Sequence, residues 1–113
     1  MTDIKYKGHI LKVEFGHYMG KRRAISLTCK EDGFPFSKAT VNLPEYDRFY
    51  GEGFVFIKNY SENKGILEAL IEHDIVEPPI ETLSSSFIEK AAVYQINGEY
   101  EEGIFVTKLK GGN

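Results

Sequence analysis

Apolar and polar residues alternate along the first third of the chain, and a period of two residues is typical of β-strands. Residues 10–18 and 22–29 show this alternation and are separated by a short turn, so we predict that they form a hairpin. Asp32-Gly33 indicates a further turn, and residues 36–43 continue the pattern. The sequence therefore predicts a three-stranded antiparallel meander. Its inward positions are Leu11, Val13, Phe15, Ile25, Leu27, Cys29, Ala39, Val41 and Leu43.

The middle of the chain predicts a covered strand followed by the main helix. Pro44 ends the third strand, and residues 45–53 form a polar and aromatic connection with room for a short helical turn. Residues 54–57 are apolar on both faces, which is typical of a strand covered on both sides. Ser61 is a suitable N-cap for an amphipathic helix over residues 62–73. Its apolar stripe is Ile66, Leu67, Leu70 and Ile71, and its water-facing residues are Lys64, Glu68 and Glu72.

The last third of the chain predicts a loop and a second hairpin. Pro78-Pro79 prevents further helix, and residues 81–86 form a polar loop. Residues 87–96 and 104–109 resemble strands on either side of Asn97-Gly98, which is a type I′ turn signal. We therefore expect residues 104–109 to be the return strand of that hairpin.

These elements and the length of 113 residues predict one domain of the α+β class. A small antiparallel sheet, made of the N-terminal meander and the later strands, is expected to pack with one main amphipathic helix. Residues 1–113 would form this single domain, with 97–113 as a C-terminal hairpin extension.

Composition places the chain among ordinary globular proteins, with 42% hydrophobic and 27% charged residues. The apolar runs are too short for a membrane span or a signal peptide, so we expect a soluble protein of the cytoplasm that does not contact membranes. Cys29 is the only cysteine, which excludes an internal disulfide and fits a reducing compartment.

The net charge of −3 is unevenly distributed along the chain. The first 30 residues carry seven basic and two acidic side chains, whereas residues 31–113 carry seven basic and fifteen acidic ones. This asymmetry indicates an electrostatic binding face, although the two segments could also interleave in the fold and neutralise each other.

The residues with reactive side chains do not form a recognisable catalytic or metal-binding motif. His9, His17 and His73 lack metal-binding spacings, and the glycines do not form a phosphate-binding loop. Cys29 continues an apolar strand face, so a structural thiol is favoured over a nucleophile. We therefore expect no catalytic, cofactor or metal site and no enzymatic activity; a ligand site built on His17, His73 or Cys29 is the weakest alternative.

Three groups of residues are candidate binding surfaces. Arg22 and Arg23 with Lys21 form a basic cluster that could meet phosphate or an acidic partner, or could be a solvated turn. Clustered carboxylates in and after the helix could imitate nucleic-acid phosphate, although solvation of the helix explains them equally well. These carboxylates belong to Glu62, Glu68, Glu72, Asp74, Glu77 and Glu81. The third group consists of aromatic rings that could anchor a partner or complete the core: Tyr46, Phe49, Tyr50 and Tyr60.

Several segments together resemble a family of uncharacterised small proteins carried by bacterial conjugative elements, plasmids and phages. They include Ala39-Thr-Val-Asn-Leu-Pro44, Phe54-Val-Phe-Ile-Lys58 and Asn59-Tyr-Ser-Glu-Asn-Lys-Gly65. The resemblance covers residues 4–96, so the hairpin after Asn97 looks like an addition. It implies an accessory protein that binds a host protein, for example a defence nuclease, as an anti-CRISPR or anti-restriction inhibitor. Direct nucleic-acid binding is not expected. The alternative is a self-associating module, a homodimer formed through an edge strand or the final hairpin.

Overall fold

The computed structural model describes residues 2–83, 90, 91 and 95–110, and it contains mostly antiparallel strands with one α-helix in this part of the chain. The first sheet is built from β1 (Thr2–Tyr6), β2 (His9–His17), β3 (Arg23–Cys29) and β4 (Pro35–Lys38). The second contains β5 (Phe54–Asn59), β6 (Glu81–Leu83), β7 (Lys90–Ala91) and β10 (Gly103–Lys108). A small hairpin contains β8 (Gln95–Ile96) and β9 (Glu99–Tyr100). The helices are α1 (Ile66–Glu72) and two 3₁₀ helices, Pro44–Phe49 and Ser61–Asn63.

The first sheet confirms the predicted meander and adds a strand to it. Its order is β1-β2-β3-β4, and each neighbouring pair is antiparallel. The additional strand β1 reaches β2 through Lys7 and Gly8, whose φ angles of 49° and 81° are those of a tight hairpin turn. Leu11 and Val13 are buried as expected, whereas Phe15 is 39% exposed and Cys29 is half-buried. The inner face of the sheet therefore extends beyond the core at both ends.

The predicted third strand is wrong in its second half. Strand β4 ends at Lys38, and the chain then crosses to the second sheet. Lys58 N donates to Ala39 O at 2.8 Å and Val41 N donates to Phe56 O at 3.0 Å, so this crossing segment pairs with β5. Val41 and Leu43 are half-buried against the second sheet instead of the first. This segment joins the two sheets.

The second sheet has the order β5-β10-β6-β7. The prediction that β10 is the return strand of the Asn97-Gly98 hairpin was wrong, because β10 lies between β5 and β6 and pairs with both. The type I′ turn is confirmed, since Asn97 and Gly98 have φ angles of 53° and 81°, but β9 is the return strand. Residues 81–83 of the predicted loop form β6; the rest of that loop and most of the predicted strand 87–96 lie outside the described residues.

The predicted helix over 62–73 is shorter than expected and starts later. Ser61 begins a 3₁₀ turn, and α1 begins only after Gly65, whose φ of 92° interrupts the helical path. The hydroxyl of Tyr6 donates to the carbonyl oxygens of Glu62 at 3.0 Å and Lys64 at 2.6 Å, which fixes this interruption against β1. Glycine is the residue that adopts such a φ at low cost.

Both faces of β5 are buried, which confirms the prediction for residues 54–57. The inner faces of the two sheets and the apolar stripe of α1 share the main core, where Val55 and Ile57 lie. Phe56 points to the opposite face of the second sheet, which the 3₁₀ helix Pro44–Phe49 covers with Tyr46. The connection that the sequence left open is therefore part of the second core cluster.

Candidate functional site

The buried side chain of Asn59 holds the start of α1 and the segment after β9 together. Its Oδ1 accepts hydrogen bonds from Gly65 N and Leu67 N, both at 3.1 Å, and its Nδ2 donates to Glu101 O at 3.2 Å. The amides at the start of a helix have no partner within the helix. Asn59 supplies that partner from the end of β5 and fixes the position of Glu101 relative to α1.

This arrangement brings glutamates from two distant segments onto one surface. Glu102 Oε1 accepts from Ser61 N at 3.1 Å, which joins the turn after β9 to the 3₁₀ helix before α1. A cleft of about 290 Å³ opens beside this contact. Its lining residues are Lys64, Asn97, Glu99, Tyr100, Glu101 and Glu102. We use the term acidic surface for these glutamates together with those of the helical segment: Glu62, Glu68, Glu72, Glu99, Glu101 and Glu102.

Glu62 is held in its ionised form. Lys58 Nζ donates to Glu62 Oε1 at 2.7 Å, and this hydrogen bond is the main cause that lowers the pKa of Glu62 to about 2. The side chain of Glu62 is 56% exposed, so the salt bridge leaves much of it open to a partner. This carboxylate therefore keeps its negative charge throughout the physiological pH range.

Glu68 is less exposed than the helical pattern predicted. Its side chain is half-buried, and Oε1 is buried without a hydrogen-bond partner in the described part of the chain. Burial raises the pKa of Tyr100, and the charge of Glu68 raises it further, so the carboxylate lies near that ring. Glu72 lies one helical turn further along the same face and is exposed. The acidic surface thus continues from the cleft along α1.

The other three predicted acidic residues, Asp74, Glu77 and Glu81, lie beyond the end of α1. Asp74 forms a salt bridge with Lys110 at 3.1 Å, and Glu77 N donates to Lys108 O at 2.8 Å. Lys108 is the last residue of β10, and Lys110 comes two residues after it. The structure therefore places Asp74 and Glu77 beside the end of β10, away from the cleft.

Arg22 is not available as a contact residue, which corrects its place among the candidate binding residues. It is only 5% exposed, and its Nε donates to Asp47 Oδ1 at 3.1 Å. Its terminal nitrogens donate to the carbonyl oxygens of Gly51 at 2.5 Å, Phe54 at 3.0 Å and Tyr50 at 3.0 Å. Arg22 therefore fixes the connection between the two sheets, and the planar guanidinium suits this set of acceptors.

The predicted aromatic anchors also separate into buried and exposed rings. Tyr46 is 3% exposed, and burial raises its pKa, so it is a core residue and not an anchor. Tyr50 and Tyr60 are half-buried. Burial is the main cause that raises the pKa of Tyr50, and its hydroxyl also donates to the Glu81 carboxylate. Phe49 is 49% exposed and is the most accessible of the four rings.

The histidines and Arg23 are dispersed. Arg23 is half-buried and pairs with His17 across β3 and β2, and the ring of His9 lies 5.2 Å from that of Phe36. His73 contacts Ala69 O through Nδ1 at 2.9 Å and accepts from Lys5 N through Nε2 at 3.4 Å. Among the described residues, no group of three or more His, Cys, Asp or Glu side chains could hold a metal ion.

Cys29 is half-buried and lines two open clefts, of about 520 and 570 Å³. The first cleft also contains His9 and Lys30, and the second contains Lys12 and Lys30. The hydrogen bonds and ion pairs of the described residues include none to the thiol.

One comparison with known proteins gave a match. The model of a family described as a domain of unknown function (DUF4313) matches residues 11–101, about four-fifths of the chain. The chain belongs to this family. The DUF4313 match begins in β2 and ends just after β9, so it includes the β8–β9 hairpin and most of the acidic surface. No curated protein and no solved structure gave a significant match. Within the described residues, no helix has the length and apolar character needed to cross a membrane.

Three members of the acidic surface were not predicted from the sequence, namely Glu99, Glu101 and Glu102. The signal for them was present, because the type I′ turn at Asn97-Gly98 is followed at once by these glutamates. What the sequence did not reveal is that Asn59 and Ser61 bind this segment next to α1. These tertiary contacts create the acidic surface, and the spacing of the glutamates along the sequence does not.

Proposed function

We propose that this protein is a non-enzymatic binding protein whose acidic surface occupies a basic, nucleic-acid-binding groove of a host protein. The observation that supports this proposal is that glutamates from two separate segments lie on one surface, where three of them, Glu99, Glu101 and Glu102, line a cleft. In the setting of a phage or another mobile element, such a partner would be a defence nuclease. The protein would then act as an anti-CRISPR or anti-restriction inhibitor in the bacterial cytoplasm.

The charges of the acidic surface suit a target that normally binds phosphate. Arginine and lysine bind carboxylate and phosphate oxygens through the same charge-assisted hydrogen bonds. Glu62 stays ionised and its side chain is 56% exposed, so its carboxylate is an acceptor that a partner's guanidinium could reach. Because the hydrogen bonds of Asn59 hold the two segments in place, binding would order few additional groups, and a low ordering cost favours affinity.

Tyr100 gives this surface an aromatic residue between the charges. It is half-buried, its ring contacts that of Phe105 with centroids 5.6 Å apart, and it lines the cleft. Tyrosines that are held by their neighbours and remain partly accessible are common anchors of protein interfaces. The glutamates would supply attraction and orientation, and Tyr100 would supply apolar contact.

The test is capture of a partner from lysate of a bacterial host that carries defence systems, with E99K/E101K as the comparison. We expect the wild-type protein to retain one stoichiometric partner, identified by mass spectrometry as a nuclease. The two introduced lysines would face basic residues of the partner, and such a juxtaposition of like charges costs several kcal/mol. E99K/E101K should therefore bind the purified partner roughly a hundredfold more weakly than the wild type.

The matched control is E45K/E52K, which makes the same change in net charge at exposed glutamates outside the acidic surface. This control should bind the partner as the wild type does. Equal affinity of E99K/E101K and the wild type would remove the acidic surface from the proposal, and recovery of the bait alone would contradict the proposed function.

A further inference from the structure

The outer face of the first sheet carries a second charged surface, which is basic. Side chains alternate along the strands, so the residues next to the buried Ile4 and Leu11 point away from the core. We use the term basic face for the lysines of this outward set, namely Lys5, Lys12, Lys30 and Lys38. Ile10, which is 49% exposed, lies among them because it pairs with Lys5 and its carbonyl accepts from Lys30 N.

Two carboxylates of the strands are interleaved with these lysines, and Glu31 and Asp32 line the cleft beside Ile10 and Lys30 at one end of the face. Asp3 lies opposite Lys12 in the register and forms a salt bridge with Lys30 at 2.5 Å. Glu14 lies on the same face and accepts from Thr28 Oγ1 at 3.3 Å. A uniform polyanion such as a nucleic-acid backbone would meet repulsion at both carboxylates. A protein surface of mixed but mainly negative charge fits this pattern better.

The acidic surface of the same chain has the complementary composition. It combines six glutamates with the interspersed Lys58 and Lys64, whereas the basic face combines four lysines with two carboxylates. We propose that a second copy of this chain is the partner of the basic face, and that the acidic surface of one copy docks on the basic face of the next. The exposed Ile10 of one copy then faces the cleft of the other copy, which Tyr100 lines.

One copy cannot satisfy both surfaces by itself. The inner face of the first sheet shares the main core with α1, so the outer face of the sheet and the solvent-facing side of α1 point in different directions. The contact therefore joins two different patches head to tail, and further copies can add to both ends. Association covers the acidic surface, so self-association and capture of another protein would compete.

The size of the basic face indicates a weak contact. Its four strands have 5, 9, 7 and 4 residues, and at a spacing of about 4.8 Å and a rise of about 3.3 Å per residue they give a flat area of roughly 400 Å². Stable interfaces bury about 800 Å² per partner, so this contact depends on charge attraction. The Debye length falls from roughly 20 Å at about 20 mM salt to roughly 4 Å at about 500 mM, which should separate the associated and dissociated states.

The first measurement is sedimentation equilibrium of the purified full chain over a range of concentrations. At low salt the weight-average mass should rise with concentration towards and beyond twice that of the monomer, and at high salt it should return to the monomer value. A monomer under all conditions, or association that salt does not weaken, would overturn the proposal.

The second measurement uses two charge-neutral variants, K5Q/K12Q on the basic face and E99Q/E101Q on the acidic surface. Each alone should be monomeric at low salt, because each lacks one side of the contact. An equimolar mixture should form a 1:1 heterodimer and stop there, because only one intact pair of surfaces remains. E45Q/E52Q is the matched control and should associate like the wild type.

Every other outcome contradicts the head-to-tail contact. A mixture that stays monomeric, or either variant associating like the wild type, rejects the assigned surfaces. A salt-sensitive complex of the wild type with a duplex DNA probe, in the absence of self-association, would assign the basic face to nucleic acid instead. None of these measurements requires a host partner, so they are independent of the proposed function.

Discussion

Replacing Asn59 with alanine tests whether one buried amide holds the acidic surface together. N59A removes the acceptor of Gly65 N and Leu67 N and the donor to Glu101 O. A buried donor left without a partner costs about 1–3 kcal/mol. Leu67 N is buried and Gly65 N is partly buried, so together with the small cavity we expect a loss of roughly 3–5 kcal/mol.

Urea unfolding followed by circular dichroism measures this loss, and thermal unfolding gives a second value. For 113 residues, 1 kcal/mol corresponds to roughly 4 °C in Tm, so N59A should lower Tm by about 12–20 °C. N42A is the matched control, because Asn42 is exposed and its truncation should change stability by less than about 0.5 kcal/mol.

Amide hydrogen exchange then locates the effect of N59A. Leu67 N should lose protection more than amides of the first sheet do, since its hydrogen-bond acceptor has been removed. A free energy of unfolding within about 1 kcal/mol of the wild type, with an unchanged urea dependence, would refute the reasoning that Asn59 is the main link between α1 and the hairpin.

Three further predictions concern single positions. Arg22→Ala should cost about 2–4 kcal/mol in urea unfolding, because it leaves Asp47 and three backbone carbonyls without their donor; an effect below about 1 kcal/mol would contradict this. Gly65→Ala should destabilise the protein by about 1–2 kcal/mol, despite the higher helix propensity of alanine, because φ is 92°; increased stability in the same assay would refute the assigned strain. Burial and the hydrogen bond to Glu81 raise the pKa of Tyr50 above its ordinary value of 10.0. The stability that the protonated hydroxyl of Tyr50 contributes is therefore complete below pH 10 and is lost as the pH rises above 10. The free energy of unfolding should therefore fall less in Tyr50→Phe than in the wild type when the pH is raised from below 10 to above 10. An equal fall in the two proteins would contradict the prediction.

The elements that the sequence predicted well are those in which burial follows a local period. The alternation around Leu11, Val13, Ile25 and Leu27 predicted β2 and β3 because one side of each strand faces the core. The covered strand β5 was equally clear, since its residues are apolar on both faces. In these segments each local pattern agrees with its tertiary environment.

The elements that the sequence did not predict depend on partners far away in the chain. Strand β10 resembles a hairpin strand locally, but its neighbours β5 and β6 decide its place in the sheet. The start of α1 depends on the left-handed conformation of Gly65 against Tyr6, and the period of the helix carries no sign of it. Non-local pairing and a single φ angle are not encoded in hydrophobic periodicity.

The candidate site shows the same division. Charge counting identified Glu62, Glu68 and Glu72, but the contacts of Asn59 and Ser61 decided which further carboxylates join them. The pair of adjacent arginines gave no indication that Arg22 would be buried, because its acceptors are carbonyls of a connection about 30 residues later. Residue type predicted the chemistry of the site, and tertiary structure chose its members.

The position of β10 has a practical consequence for defining the domain. The family match ends at residue 101, whereas β10 spans Gly103–Lys108 and separates β5 from β6. A fragment expressed only to the boundary of the match would lack the middle strand of the second sheet and expose two unpaired strand edges. Such edges template aggregation, so insoluble product from that fragment would report on where it was cut and not on the behaviour of the intact fold.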